Sequence, residues 1–326
     1  MVSITSATVQ DLSLRQLQYV VAVAETLGFR RAAERCAVSQ PTLSTQIQQL
    51  EAVLGVKLFE RGRGGVLVTV VGAEIVARAR RVLVETKDLI AAATRARDAF
   101  AGTFRVGVIP TIAPYFLPEV TQVLAKKYPR LRLVFREEKT EDTVRDLWAG
   151  TLDAGLVALE AELGLLEHAS VMRDPFLVAM PKGHPLAKKR KIAQADLDDQ
   201  EVLLLEDGHC LRAQALELCA RAGAREMDLR STSLATLVQM VASSGALTLL
   251  PSLAISVENR RAQLEIRPFK RPVPFRTIAL VWRPRSPFGS AFRETAATLR
   301  EHLSPSGSVR EAGDARSAAG DASETD

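Results

Sequence analysis

Apolar positions recur along the chain in two rhythms, and the change of rhythm divides it. Leu14, Leu17, Val20, Val21 and Ala24 keep helical spacing and predict a first helix that ends near Gly28. A second short helix, Phe29 to Cys36, follows, with Cys36 expected as a packing residue. After the turn at Ala37-Val38, Ser39 is a good N-cap and Pro41 fits a first turn, so a third helix begins there with Leu43, Ile47, Leu50 and Leu54 on one face. Its opposite face carries Gln40, Thr42, Ser44, Thr45, Gln48 and Gln49. Short hydrogen-bonding side chains, rather than Lys/Glu pairs, suit contacts with base edges and phosphates in a major groove, so this unit reads as a helix-turn-helix. Residues 54 to 61, then Gly62-Arg63-Gly64-Gly65 and the alternating 66 to 70, read as a hairpin with a basic tip, a wing beside the reading helix.

From Gly72 to about Arg97 the helical rhythm runs unbroken and places Ile75, Ala79, Val82, Thr86, Leu89, Ala93 and Ala96 at alternating spacings of four and three. That heptad seam predicts pairing with a second copy, whose two reading helices would face a near-palindromic site. Beyond Gly102 strand and helix patterns alternate. Strands are expected at 104 to 109, 131 to 136, 154 to 158, 171 to 180, 202 to 205, 246 to 250 and 277 to 283, and helices near 115 to 127, 140 to 150, 211 to 221, 233 to 243 and 290 to 303. Repeated βαβ units predict an α/β domain with mostly parallel sheets. A break near Asp174 and a return near Phe275 predict two lobes joined by two crossing strands, with ligands expected between the lobes. The expected organisation is a loose extension over 1–11, a winged helix-turn-helix DNA-binding domain over 12–70, a linker and dimerisation helix over 71–101, a two-lobed effector domain over 102–303 and an aperiodic, disordered tail over 304–326.

Composition changes this picture little. The net charge of +5 divides as +4 over residues 1–100, +4 over 101–303 and −3 over the tail, a basic balance equally compatible with a nucleic-acid binder and an ordinary enzyme. No apolar run approaches the roughly 18 positions of a membrane span, the N-terminus has no signal-peptide pattern, and three cysteines are too few for a secreted disulfide framework. The cytosol is the expected compartment. No phosphate-cradling loop, dinucleotide fingerprint or metal-ligand spacing occurs, so neither cofactor nor metal is expected; His184 reads as a loop histidine.

The candidate chemistry lies in Leu203 to Cys219, LLLEDGHCLRAQALELC. A buried-strand run breaks at Glu206-Asp207-Gly208 and hands over to a helix with Cys210 at its start. Unpaired amides and the positive dipole end favour a thiolate there, and with His209 and Arg212 beside it Cys210 should have a lowered pKa. Cys219 follows nine residues later, about 13 Å of rise along a regular helix, whereas a disulfide needs Cα atoms within about 7 Å. If the two sulfurs join, the helix between them must come apart, and Leu211, Ala215 and Leu218 would leave the face that seats it. Two inert core cysteines remain the alternative on spacing alone.

The string EDGHCLRAQAL with a cysteine nine residues after the first resembles the redox centre of the OxyR-type peroxide sensors, a branch of the LysR-type transcriptional regulators, and AAERCAVSQPTLSTQIQQLEAVLGVKLFER is similar to the LysR N-terminal pattern. The resemblance runs from about Leu12 to Leu303. It implies an effector domain folded like the periplasmic binding proteins and a homotetrameric regulator, not an enzyme, that binds double-stranded promoter DNA and activates oxidative-stress genes. It further implies Cys210 as the peroxidatic and Cys219 as the resolving residue, Thr111, Thr140, His209 and Arg283 around the peroxide, and Arg212 and Asp207 in support. Arg30, Arg31, Ser39, Gln40, Pro41, Thr42, Ser44, Thr45, Gln48, Arg61 and Arg63 are the expected DNA contacts. A thioredoxin-like or glutaredoxin-like reductant and RNA polymerase are the further partners it implies. Two other readings stay open: a LysR-type regulator answering to a small metabolite between the lobes, and a thiol peroxidase carrying a DNA-binding domain. Thr140 is open between a peroxide role and an N-cap before the helix at 141, and Arg283 between that role and a surface ion pair.

Overall fold

The structure is a computed structural model that describes residues 11–62, 65–95, 98 and 100–303. The expectations placed on the extension before Asp11, on Arg63, on Ala96 and on the tail after Leu303 lie outside the described residues.

Ser13 caps α1 (Leu14–Thr26) in a reciprocal box with Gln16, and α2 (Phe29–Arg35) follows after one turn. Ser39 accepts the amide of Thr42 and starts α3 (Gln40–Leu54) as its sequence predicts. Leu43, Ile47 and Leu50 are fully buried against Val20, Val23, Ala32 and Leu58, which fixes the angle of the helix pair. The wing is β1 (Phe59–Gly62) and β2 (Gly65–Val68), antiparallel, with Arg61 opposite Val66. Buried Glu51 ties helix to wing, accepting the amides of Leu58 and Phe59 and the ammonium of Lys57 at 2.6 Å.

Helix α4 (Val70–Arg95) divides the expected seam. Ile75 is half-buried on the core of the DNA-reading unit, Ala79 is buried, Thr86 is half-buried, and Val82, Leu89 and Ala93 face outward.

The rest of the chain forms two lobes. The first holds β3 (Gly102–Val108), α5 (Ala113–Lys127), β4 (Leu131–Glu137), α6 (Thr140–Trp148), β5 (Ala154–Ala158) and the start of β6 (Glu167–Met180). The second holds the end of β6, β7 (Glu201–Leu205), α7 (Cys210–Ala222), β8 (Arg225–Ser231), α8 (Leu234–Ser243), β9 (Thr248–Pro251), α9 (Ser252–Ala262) and β10 (Glu265–Pro268). The chain then returns to the first lobe as β11 (Phe275–Trp282) and closes with α10 (Gly289–Leu303). Strand β6 crosses between lobes, pairing with β11 through Pro175 and with β9 and β10 beyond it. The connection from β10 to β11 is the second crossing. Each lobe has its own core, one around Phe116, Leu147 and Trp282, the other around Val178, Leu203 and Val241.

The expectation of mostly parallel sheets does not hold. Among the described strands the parallel ladders are β3 with β4 and β5 and β7 with β8, joined by single parallel bridges at Ile192–Phe269 and Val202–Leu247, while β11 and β6 run antiparallel to their neighbours because both carry the chain across and back. The sequence reading also has no counterpart for β8, α9 and β10.

Candidate functional site

Helix α7 is regular from Cys210 to Ala222, so Cys210 and Cys219, both free thiols, sit toward opposite ends of one unbroken helix. They belong to different cores. Cys210 is half-buried and packs on the core of the first lobe, whereas Cys219 is buried in that of the second beside Leu211 and Ala215, with Leu218 half-buried next to them. The turn before α7 needs Gly208, whose φ of +88° is left-handed and whose added Cβ would meet the side chain of Lys139 at 3.0 Å. Lys139 reaches over that turn from the first lobe to Glu206 at 3.3 Å and to the carbonyl of Asp207 at 3.1 Å.

The cation that faces Cys210 is not the one expected. Arg212 is turned away: its guanidinium holds Glu226 at 2.7 and 3.2 Å, Asp207 at 2.8 Å and the carbonyl of Leu205 at 3.1 Å. It locks the Asp207 turn to β7 and β8, and Asp207 accepts Arg230 as well. Arg283 is also elsewhere. It sits just past the end of β11, donating to both oxygens of Asp88 on α4 at 2.9 Å and to the carbonyl of Leu147, so the expected peroxide role gives way to a bond with the linker helix. At the start of the same strand, seven residues and roughly 23 Å away along it, stands Arg276. It is fully buried at the hinge, directly opposite Asp174 in the ladder. Arg276 donates to Asp174 at 3.0 Å and to the hydroxyl and carbonyl of Thr111 at 2.8 and 2.9 Å, and its charge acts on the Cys210 thiol. Asp174 also accepts the hydroxyl of Ser252 and the amide of Leu253, which leaves the hinge pair satisfied from both lobes.

Thr140 is the first residue of α6, and Lys139 occupies the cap position, so the N-cap alternative for Thr140 falls away. Its hydroxyl is buried without a nitrogen or oxygen partner and acts on the sulfur of Cys210. One turn along α7 from Cys210, the amide of Gln214 has both polar atoms buried and unpartnered. His209 caps α7 without a side-chain bond and is buried; burial first, then Lys139, lower its pKa and favour the neutral ring.

The lowered pKa expected for Cys210 is not what the structure gives. Burial pushes the thiol up, and Arg276, the Thr140 hydroxyl and the amides of Leu211 and Cys210 pull it only part of the way back. Cys219 has no such help: burial, aided by Glu226, pushes its thiol up to about 12.

In the DNA-reading unit Gln40, Pro41, Thr42, Thr45, Gln48 and Gln49 are exposed on one face of α3, with Ser44 half-buried and Ser39 engaged in its cap. Arg30 and Arg31 are exposed at the start of α2, Arg30 paired with Glu34. Cys36 is half-buried on this unit's core, as expected of a packing residue. His184 caps a short loop turn, accepting the amide of Leu186.

A winged helix-turn-helix, a long linker helix and a hinged two-lobed domain define the class of LysR-type regulators. Comparison with known proteins agrees: the family of bacterial regulatory helix-turn-helix proteins of the lysR type matches residues 14–73, and the LysR substrate binding domain matches 97–304. The hydrogen peroxide-inducible genes activator of Dickeya chrysanthemi is 42% identical over 293 residues, covering 90% of this chain and 96% of the relative. The DNA-binding transcriptional dual regulator OxyR of Escherichia coli is 41% identical with the same coverage. Among solved structures, a full-length cysteine-to-aspartate variant of OxyR from Pseudomonas aeruginosa is similar with a TM-score of 0.73 and 38% identity, over 89% of this chain and 95% of that one. A peroxide-bound cysteine variant of OxyR from Corynebacterium glutamicum gives 0.61 and 32%, over 90% and 94%. The chain belongs to the OxyR branch of the LysR family.

Proposed function

We propose that the protein is a cytoplasmic regulator that senses hydrogen peroxide through Cys210 and stores the signal as a Cys210–Cys219 disulfide. The observation that carries this is the seat of Cys210 between the lobes, at a helix start, under the hinge arginine Arg276 and beside the buried Thr140 hydroxyl. Peroxide meets the Cys210 sulfur at this seat. The thiol loses its proton as the sulfur attacks one oxygen, the O–O bond breaks, and the departing hydroxide takes up a proton and leaves as water. Arg276 and the amides of Cys210 and Leu211 stabilise the charge on sulfur and on the leaving oxygen. Thr111, bonded to Arg276, positions it, and neutral His209 closes the site.

The product is a sulfenic acid at Cys210. Cys219 then attacks that sulfur, its thiol proton leaving with the hydroxyl as a second water, so two thiols supply the two electrons that peroxide consumes. With its pKa near 12 and its side chain in a core, Cys219 becomes a nucleophile only after α7 comes apart. A thioredoxin-like or glutaredoxin-like dithiol restores both thiols. The outward-facing Val82, Leu89 and Ala93 pair linker helices of two copies, dimers associate into tetramers, and α3 with Arg30, Arg31, Arg61 and Arg63 holds promoter DNA of oxidative-stress genes.

The test is hydrogen exchange with peptide mapping on the purified full chain. Amides from His209 to Ala220 should lose protection when a few equivalents of peroxide form the crosslink, and regain it on reduction. A Cys210→Ser protein should bind operator DNA as the reduced protein does and show no response. A crosslink formed with unchanged protection would refute the unwinding step; a Cys210→Ser protein that still answered to peroxide would move sensing elsewhere.

A further inference from the structure

The turn that launches α7 is gripped from both lobes. On its own lobe, Arg212 and Arg230 both reach Asp207, and the amide of Glu206 donates to the carbonyl of Ser231 at 2.8 Å. From the first lobe comes Lys139, which donates to Glu206 at 3.3 Å and to the carbonyl of Asp207 at 3.1 Å, while the end of its side chain lies against Gly208. Lys139 is itself fixed at the backbone, where its carbonyl accepts the amide and the hydroxyl of Thr143 at 3.0 and 3.2 Å. Next along the chain is Thr140, whose hydroxyl acts on the Cys210 sulfur. Neighbouring residues at one helix start therefore hold the beginning of α7 by different atoms, Thr140 by the sulfur and Lys139 by the turn before it. Their electrostatic roles also differ: the charge of Lys139 acts on His209, whereas Arg276 is the cation that acts on the thiol.

We infer, on the reading of Cys210 and Cys219 as a switching pair, that Lys139 is a positioning residue that gates the second chemical step by holding the start of α7 on the first lobe. In that step the Cys219 sulfur bonds to the Cys210 sulfur, the S–O bond of the sulfenic acid breaks, and the hydroxyl leaves with the Cys219 thiol proton as water. Cys219 is oxidised and the sulfenic sulfur reduced. Oxidation of Cys210 changes the atom that Thr140 meets but leaves the turn under Lys139 as it was. The two Lys139 bonds therefore persist into the sulfenic acid and must break before the helix start can leave the first lobe. Their loss does not open the lobes, which stay joined by the Tyr115 hydroxyl on Glu258 at 2.7 Å and the Ser252 hydroxyl on Asp174 at 2.8 Å.

The experiment uses the full-length protein at about pH 8, above the ordinary histidine range, so that His209 is neutral with or without Lys139. Lys139→Met keeps the aliphatic stem and loses the ammonium. In a Cys219→Ser background the rate at which peroxide turns Cys210 into a sulfenic acid, trapped with dimedone, should not respond to it. With Cys219 present, quenched-flow peptide mapping should show the crosslink closing about fivefold faster, the effect of losing a half-exposed ion pair together with a charged bond to a carbonyl. Because the disulfide form lacks the same bonds, equilibration with a reference dithiol should move about fivefold toward the disulfide, which lowers the potential by about 20 mV. Closing in the wild type should quicken with added salt, and in Lys139→Met much less. Glu206→Gln should quicken closing less than Lys139→Met does and add nothing in that background. Tyr115→Phe loosens the lobes without touching the turn and should close at the wild-type rate.

A Lys139→Met protein with unchanged closing and potential would overturn the inference while the sensing reading stands. Equal acceleration by Tyr115→Phe would also overturn it, since Lys139 would then act only by holding the lobes together. So would altered dimedone trapping, which would assign Lys139 to the first step. A wild type that forms no Cys210–Cys219 crosslink marks instead a failure of the sensing reading, and the gate falls with it.

Discussion

Replacing Arg276 with Gln tests whether the hinge pair serves both the fold and the chemistry. Asp174 and Arg276 are both completely buried, and removing one partner of such a pair costs about 3–5 kcal/mol because the other charge is stranded. Asp174 keeps the Ser252 hydroxyl and the Leu253 amide, so the loss should fall at the lower end, about 3 kcal/mol, read as a shift of the urea midpoint of the reduced protein. The same change removes the one side-chain cation that lowers the Cys210 pKa and a donor to the developing charge, and oxidation of Cys210 by peroxide should slow about 10²-fold. A second variant, Asp174→Asn/Arg276→Gln, separates the two effects. It leaves no stranded charge and should recover most of the stability while remaining slow. Recovery of the wild-type oxidation rate in the double variant would make Arg276 a structural residue and refute the chemical role.

Asp88→Asn removes the bidentate contact between the linker helix and Arg283, costing about 1.5–3 kcal/mol as a hydrogen bond to a charged group; crosslinking by peroxide should proceed normally while the oxidation-dependent footprint change weakens, as DNase protection would show. In the reduced protein alkylation of Cys219 should stay negligible until pH approaches 12, and because its folded pKa lies above the unfolded value near 8.5–9, the associated stability is complete below that value and declines as pH rises toward 12, measurable by urea titration. His209 has the opposite sign: its folded pKa is depressed, so its contribution is present above about pH 6.5 and is lost as pH falls below it, an effect that His209→Gln should abolish. Gly208→Ala forces a side chain into the left-handed region and against Lys139, and about 1–2 kcal/mol of lost stability with slower Cys210 oxidation is expected from melts and peroxide titration.

Local chemistry was legible in the chain and long-range pairing was not. Ser39 and Pro41 announce α3, and the Glu206–Gly208 break announces the start of α7, because caps and turns are decided within a few residues. Which arginine meets Cys210 is decided by contacts more than a hundred positions apart, as between Arg276 and Asp174. Both arginines belong to one strand region, Arg276 in phase with the buried Ile278, and that phase was the available signal: a charge on the inward face of a buried strand needs a partner. Helical spacing likewise marked the α4 seam but not its division, since Ile75 satisfies the same rhythm by packing on the core of the DNA-reading unit. The raised Cys210 pKa was hidden for the same reason: a helix start is visible in sequence, while burial against another lobe is not.

Because Cys219 is a member of the second lobe's core, the proposed Cys210–Cys219 bond would be poised to be temporary. Withdrawing Leu211, Ala215 and Cys219 from their packing costs roughly 4 kcal/mol of apolar burial, and a two-electron couple converts each 1.4 kcal/mol into about 30 mV. The reduction potential of the crosslink should therefore stand roughly 90 mV above that of an otherwise equal disulfide whose closing disturbs nothing. The folded core acts as a spring returning the protein to its dithiol form, and its stiffness, adjustable by the size of the residue at position 211 or 215, sets how long a pulse of oxidant is remembered.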